Sequence, residues 1–336
     1  MTSTIIDFEN VTKEYPDGTV AIEDISFSVE EGTTTVFVGP SGCGKTTTMK
    51  LVNRLEELTS GKIYYDGQEI RSLDKIDLRR NIGYVIQEIG LFDHMTVAEN
   101  VGMVPTLLEW DRARIDDRVD ELLDLMDLPA ETYRDQHPME LSGGQRQRVG
   151  VARALAADPD VMLMDEPFGA LDPITREKLQ DEFLEIQAQI DKTILFVTHD
   201  IDEALKMGDK IAIYRNGQIV QYDTPKEILT NPANDFVREF IGSDRLIKEL
   251  KFMTAGDVMD ETADVTGKTL SELGAAGVEF ARNGQGYLTV ERSETTHVAL
   301  MKIYEGHVEG VLVTEGEEVV GTVTEADLKR NLSEGR

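Results

Sequence analysis

Gly39, Pro40, Ser41, Gly42, Cys43, Gly44, Lys45 and Thr46 fit the spacing G-x-x-x-x-G-K-[ST]. Glycines at that spacing let consecutive backbone N–H groups converge on phosphate oxygens, and a helix starting at the loop's end adds positive potential. Lys45 supplies a point charge to the outer phosphates and Thr46 a hydroxyl for Mg²⁺, with Cys43 a small spacer inside the loop. Farther along, the apolar run Val161–Met164 ends in two carboxylates, Asp165 and Glu166. At the carboxyl end of a buried parallel strand, Asp165 can hold Mg²⁺ through water and Glu166 can polarise an attacking water. A third segment, Leu141 followed by Ser142, Gly143, Gly144 and Gln145, opens a helix that carries Arg146, Arg148 and Arg153. Small residues at a helix N-terminus make a second anion-binding surface, explained most simply if it serves another subunit's nucleotide.

These groups need a scaffold, and the sequence patterning predicts one. Ile5–Asn10, Ile25–Glu30 and Thr34–Val38 read as strands, with turns at Asp17-Gly18 and Glu31-Gly32. A helix falls within Gly44–Leu55, and Ile63–Tyr65 and Ile82–Ile86 continue the strands. Ile115, Val119, Leu122, Leu123 and Met126 recur at helical spacing, and Gly150–Ala157 reads as another helix. Val161–Met164 and Thr193–Val197 are short apolar runs of the fully buried, parallel-strand type. Alternating strands and helices around buried strands predict an α/β domain. His199 follows Thr193–Thr198 at the same carboxyl end as Asp165 and Glu166.

The 336 residues suggest two domains, and 40% hydrophobic content is enough for real cores. No apolar run approaches the ~18 residues needed to span a bilayer, and no signal peptide opens the chain. The single Cys43 excludes a disulfide framework and any multi-cysteine zinc site. A soluble, cytoplasmic protein is expected. The formal net charge is -30; residues 244–336 hold 10 basic and 18 acidic residues, net -8, leaving -22 for the first 243. Acidity spread this evenly disfavours nucleic acid as a partner, since phosphate neutralisation needs clustered Lys and Arg. It is either an ordinary acidic surface or one adapted to high salt, where a Debye length of ~3 Å at 1 M makes self-repulsion tolerable.

The motifs together resemble the ATP-binding-cassette (ABC) ATPases over roughly residues 4–242. Gly39–Thr46 is similar to the Walker A loop, Gln87 to the Q-loop, Leu141–Gln145 to the signature motif and Asp165-Glu166 to the Walker B end. Ala170-Leu171-Asp172 is similar to the D-loop and His199 to the switch histidine, while Tyr15 is placed like the aromatic that stacks on adenine. The resemblance implies a P-loop NTPase fold with a helical subdomain at about 88–155, ATP and Mg²⁺ as cofactors, and a head-to-tail homodimer. It implies catalytic roles for Glu166, His199, Lys45 and Gln87, and metal contacts from Thr46, Gln87 and Asp165. The nucleotide contacts it implies also take in Tyr15, Thr47, Gly143, Asp172 and the Walker A and signature residues, with Ser142 and Gly144 acting in trans.

Residues 82–101 more narrowly resemble the Q-loop region of importer ATPases for glycine betaine, carnitine, choline and related quaternary amines, departing at Glu88 and Asp93. This implies a transmembrane permease whose coupling helix docks at Gln87–Asn100, an extracytoplasmic solute-binding protein, and a place on the cytoplasmic face of the membrane. ATPases of polyamine or amino-acid importers, and a soluble cassette ATPase working without a permease, are the alternatives. Beyond a linker at 243–252, in which Leu246–Phe252 is expected as a connecting helix, Met253–Met259 and Gly321–Leu328 resemble the opening and closing pieces of a cystathionine-β-synthase (CBS) module, a small α+β domain spanning 253–336. In that family Thr324 and Asp327 would meet the ribose–phosphate of an adenine nucleotide; the alternative is a packing domain without a ligand. Helix Val298–Tyr304 and strands Gly310–Thr314 and Val319–Thr324 are expected within it.

Overall fold

The computed structural model describes residues 3–86, 90–169, 172–261, 265–276, 278–283 and 286–334. Contacts divide the chain into two units, Met1–Thr224 and Pro225–Arg336.

The first unit is built on a six-stranded sheet in the order Gln218–Asp223, Lys210–Arg215, Thr34–Val38, Thr193–Val197, Val161–Asp165, Ile82–Val85. All neighbours pair in parallel except the first two strands. Thr34–Val38, Val161–Asp165 and Thr193–Val197 are buried at every position. That burial is why these runs are continuously apolar rather than alternating. Parallel register brings Asp165 opposite Val197, so the carboxylates and His199 leave the sheet at the same end. A second, antiparallel sheet of Val20–Glu30, Thr4–Glu14, Ser60–Tyr65 and Gln68–Glu69 shares an apolar core with it, through Phe8, Phe27 and Phe37. Phe27 stacks on Phe8 at 4.5 Å between ring centroids and meets Phe37 edge-on at 5.6 Å.

Helices Val97–Val101, Met103–Leu107, Arg112–Leu125, Ala130–Tyr133 and Gly143–Leu155 form the expected helical stretch. On Arg112–Leu125 the residues Val119, Leu122 and Leu123 are buried, as their spacing predicts. The helix expected to open at Leu141–Gln145 and the one expected at Gly150–Ala157 are a single helix, Gly143–Leu155, capped by Ser142.

In the second unit, strands Lys268–Thr269, Glu318–Thr324, Gly310–Glu315 and Thr289–Glu291 form one sheet in that order. Helix Thr296–Gly306 packs on its core through Ala299 and Ile303. The division after Thr224 lies ahead of the boundary expected at 242. Helix Pro225–Thr230 lies against helix Arg245–Glu249, where Arg245 donates to the Leu229 carbonyl at 2.7 Å. The stretch 243–252 contains that helix, close to the connecting helix expected at Leu246–Phe252, and Leu250 joins the second unit's core. Among the described residues no helix is long and apolar enough to cross a membrane.

Candidate functional site

Backbone strain marks the loop before helix Lys45–Val52. Gly39 and Gly44 adopt φ of 150° and 110°. A Cβ on Gly39 would stand 2.4 Å from the Tyr214 carbonyl oxygen, and one on Gly44 2.5 Å from that of Ala21. Only glycine fits at either place. Cys43 is buried beneath the loop, and burial pushes its thiol up, as suits a spacer rather than a reactive group. Lys45 is buried too, its Nζ donating to the carbonyls of Gly39 at 2.7 Å and Pro40 at 3.1 Å. The ammonium is thus held across the mouth of its own loop.

Thr46 and Asp165, far apart in sequence, meet here. Thr46 Oγ1 donates to Asp165 Oδ1 at 2.9 Å. Burial holds the Asp165 carboxyl above its usual range, against the Thr46 bond and the charges of Lys50 and Lys45. A hydroxyl beside a carboxylate is a pair of hard oxygen donors, the kind Mg²⁺ selects. Glu166 has a φ of 45°, and its N–H is held by the Val197 carbonyl at 3.0 Å. This left-handed turn at the strand's end places its Oε2 3.1 Å from Nδ1 of His199. The side chains of Glu166 and His199 are 20% and 52% exposed, so both reach solvent.

Ser142 accepts from the Gln145 N–H at 3.2 Å while Gln145 Oε1 accepts from the Ser142 N–H at 2.8 Å, a capping box that opens helix Gly143–Leu155. Gln145 Nε2 also donates to the Tyr133 hydroxyl at 3.0 Å. The Ser142 hydroxyl accepts in this box, so its own hydrogen can still be donated. Asp172 caps helix Pro173–Gln187 by accepting from the Thr175 N–H at 3.1 Å, and the Thr175 bonds hold its carboxyl below the usual range. Gln87, Glu88, Ala170 and Leu171 lie outside the described residues.

Three features escape sequence reasoning. Lys13 stands 4.8 Å over the Tyr15 ring, fixed by Glu56 at 3.0 Å and the Glu57 carbonyl at 2.9 Å. Asn100 is fully buried and staples the loop before it. It accepts from the Phe92 N–H at 2.8 Å and donates to the carbonyls of Phe92, Met95 and Thr96. Phe92 is left exposed on that loop. Glu203 is buried behind His199. Isolated polar residues in helices or strands carry no periodic signal, so only the pairing they make in space identifies them.

In the second unit, Thr324 and Asp327 bond to each other. Asp327 Oδ2 accepts the Thr324 N–H at 2.9 Å and its hydroxyl at 2.6 Å, Thr324 Oγ1 accepts the Asp327 N–H at 3.2 Å, and Arg330 donates to Asp327 Oδ1. Both carboxylate oxygens are taken up locally, by Thr324 just before helix Glu325–Glu334 and by Arg330 within it.

The chain is similar to known proteins. The ABC transporter family model matches residues 22–169. The carnitine transport ATP-binding protein OpuCA of Listeria monocytogenes is 56% identical over 73% of this chain, which spans 61% of that relative's length. The glycine betaine/carnitine/choline transport ATP-binding protein OpuCA of Bacillus subtilis is 46% identical over 96% of this chain and 84% of that protein. A dimeric ATP-binding cassette in a post-hydrolysis state, bound to ADP and Pi, superposes with a TM-score of 0.58. It is 32% identical over 66% of this chain and 99% of that one.

Proposed function

The chain belongs to the ABC transporter family of ATP-binding proteins, and we propose that it is the ATP-hydrolysing subunit of an importer for a compatible solute of the quaternary-amine class. The observation that carries the ATPase part is the convergence of Lys45, the Thr46–Asp165 pair and the Glu166–His199 pair at the carboxyl ends of adjacent parallel strands. The solute class is supported by the Bacillus relative that this chain matches almost from end to end.

The proposed reaction starts with the triphosphate seated on the backbone N–H groups of Gly39–Thr46, its adenine on Tyr15. Lys45 exchanges its loop carbonyls for the outer phosphate oxygens. Mg²⁺, held by Thr46 and Asp165 with Gln87, would neutralise charge building up on those oxygens. Glu166 takes the proton of the attacking water as that water's oxygen bonds to the γ-phosphorus and the bridge to ADP breaks. His199 keeps Glu166 aimed and reaches the γ-phosphate from its exposed position. In a head-to-tail homodimer, Ser142 and Gly144 of the other subunit would close over that phosphate with the remaining hydroxyl hydrogen and the helix N-terminus.

The loop that Asn100 staples, with Phe92 exposed, suits docking of a permease's cytoplasmic helix, which would seat the protein at the cytoplasmic membrane face. A solute-binding protein would deliver the solute on the other side. For residues 253–336 we infer a CBS-like regulatory domain. The internal bonds of Thr324 and Asp327 favour a structural cap there over a ribose contact. The test is uptake of labelled glycine betaine, carnitine and choline by vesicles holding the permease co-purified with this chain. ATP-dependent uptake of one of them is expected. Uptake of polyamines or amino acids alone would reject the solute class, and partners that are ribosomal or DNA-bound would reject the transport role.

A further inference from the structure

Behind the exposed Glu166–His199 pair lies a buried carboxylate that the reaction above does not use. Glu203, on helix Ile201–Met207, is 6% exposed. It accepts from Gln180 Nε2 at 2.8 Å, and Gln180, itself buried, belongs to helix Pro173–Gln187. Thr198, next to His199 in sequence, is also a side-chain hydrogen-bond partner of this carboxylate. Thr198 Oγ1 also accepts the Asp200 N–H at 3.0 Å, so one hydroxyl spans the peptide units on both sides of His199. A small cavity is lined by Glu203, Arg176, Thr198, His199 and Glu166 together. Burial holds the Glu203 carboxyl above its usual range, while Thr198, Gln180 and the charge of Arg176 favour its ionised form.

A buried carboxylate costs stability unless it is bonded and paired, and an apolar residue of its size would fold as well or better. The bonds of Glu203 tie it to the turn carrying His199, where its own N–H donates to Asp200 Oδ1 at 3.3 Å, and to the helix whose first turn is capped by Asp172. Lys206 repeats the link one turn on, reaching Asp181 at 2.6 Å and Gln180 Oε1 at 3.4 Å. Phe168, two residues after Glu166, meets Phe183 of the same helix at 6.1 Å and Phe196 of the strand before His199 at 6.0 Å. The elements carrying Glu166, His199 and Asp172 thus meet around one polar centre.

We propose that Glu203 is a positioning residue for ATP hydrolysis, holding the Thr198–Asp200 turn so that His199 stays in register with Glu166, and tying that turn to the helix that begins at Asp172. This deepens the ATPase reading and rests on it. The step it serves is sensitive to placement, since a misplacement of ~1 Å can cost roughly 100-fold in rate.

The experiment is steady-state hydrolysis of Mg-ATP by the full chain, with kcat and KM resolved and thermal unfolding measured on the same samples. Glu203→Gln keeps shape but removes the charge facing Arg176; Glu203→Asp keeps the charge on a shorter arm. Glu203→Gln is expected to lower kcat about tenfold with KM for ATP changed less than about twofold, and Glu203→Asp to restore part of the rate. Gln180→Met is expected to lower kcat in the same pattern by a few-fold, and decides the matter should Glu203→Gln fail to fold. Unchanged kcat in the folded variants, or a loss carried wholly by KM, would overturn the proposal while wild-type turnover leaves the ATPase reading standing. A wild-type chain without turnover would overturn both.

Discussion

Each unit of this protein contains a threonine bonded to an aspartate, and the two pairs are built for different ends. Thr46 and Asp165 come from separate elements and meet at 2.9 Å, where burial of the carboxylate works against its charge. Thr324 and Asp327 are three residues apart, and the aspartate is saturated by its own helix turn and Arg330. The first pair gathers costly groups where a ligand would use them; the second satisfies the orphan N–H groups of a helix start. Equal chemistry in two contexts thus separates a site from a cap.

The largest effect should follow from breaking the first pair. Asp165→Asn is expected to reduce ATP hydrolysis at least ~100-fold, as loss of a main electrostatic contact does. Yet its melting temperature without nucleotide should hold or rise. Because the folded-state pKa is raised above the ordinary 3.8, this group's contribution to stability is fully present below that value and lost as pH rises through the raised one. At neutral pH the ionised carboxylate therefore opposes folding, and Asn removes that cost. Calorimetry from pH 3 to 8, beside ATPase assays, checks both halves; a large fall in melting temperature with activity intact would erase the distinction.

Next in size is Tyr15→Ala, expected to weaken ATP binding roughly tenfold by loss of base stacking, worth ~1–3 kcal/mol, while inhibition by inorganic triphosphate is unchanged. Fluorescence titration with both ligands reads it. In the second pair, Asp327→Ala should cost ~1 kcal/mol of stability through loss of the cap, with ATP affinity at the Gly39–Thr46 loop unaltered. Denaturant unfolding followed beside nucleotide titration distinguishes this from a ligand-binding role. The smallest effect is expected of Lys13→Met: a loss of ~0.5–1 kcal/mol in ATP affinity, absent when Tyr15 is already Ala, which a double-mutant cycle measures.

The first unit was largely legible because its chemistry constrains the residue types. The strands Thr34–Val38 and Thr193–Val197 match their predicted limits, since burial on both faces demands unbroken apolar runs bounded by polar turns. Gly39 and Gly44 announced themselves because no other residue fits. Glu203 and Lys13 did not, because their significance lies in partners far along the chain, Gln180 and Glu56, and Asn100 did not because its bonds to nearby loop carbonyls leave no periodic signal. The boundary expected at 242 followed turn residues such as Asn231-Pro232 and Gly242-Ser243. The packing of Pro225–Thr230 against Arg245–Glu249, invisible in composition, moves it to Thr224. In the second unit the Thr324–Asp327 spacing was found, but spacing alone cannot say whether the carboxylate faces a ligand or its own helix.

The most direct measurement is hydrolysis and binding of Mg-ATP by Glu166→Gln beside the wild type. If Glu166 takes the proton of the attacking water, the variant binds ATP as tightly as the wild type, turns it over at least ~100-fold more slowly and persists as an ATP-bound dimer in size-exclusion chromatography. Turnover by Glu166→Gln at the wild-type rate would contradict the account at its centre.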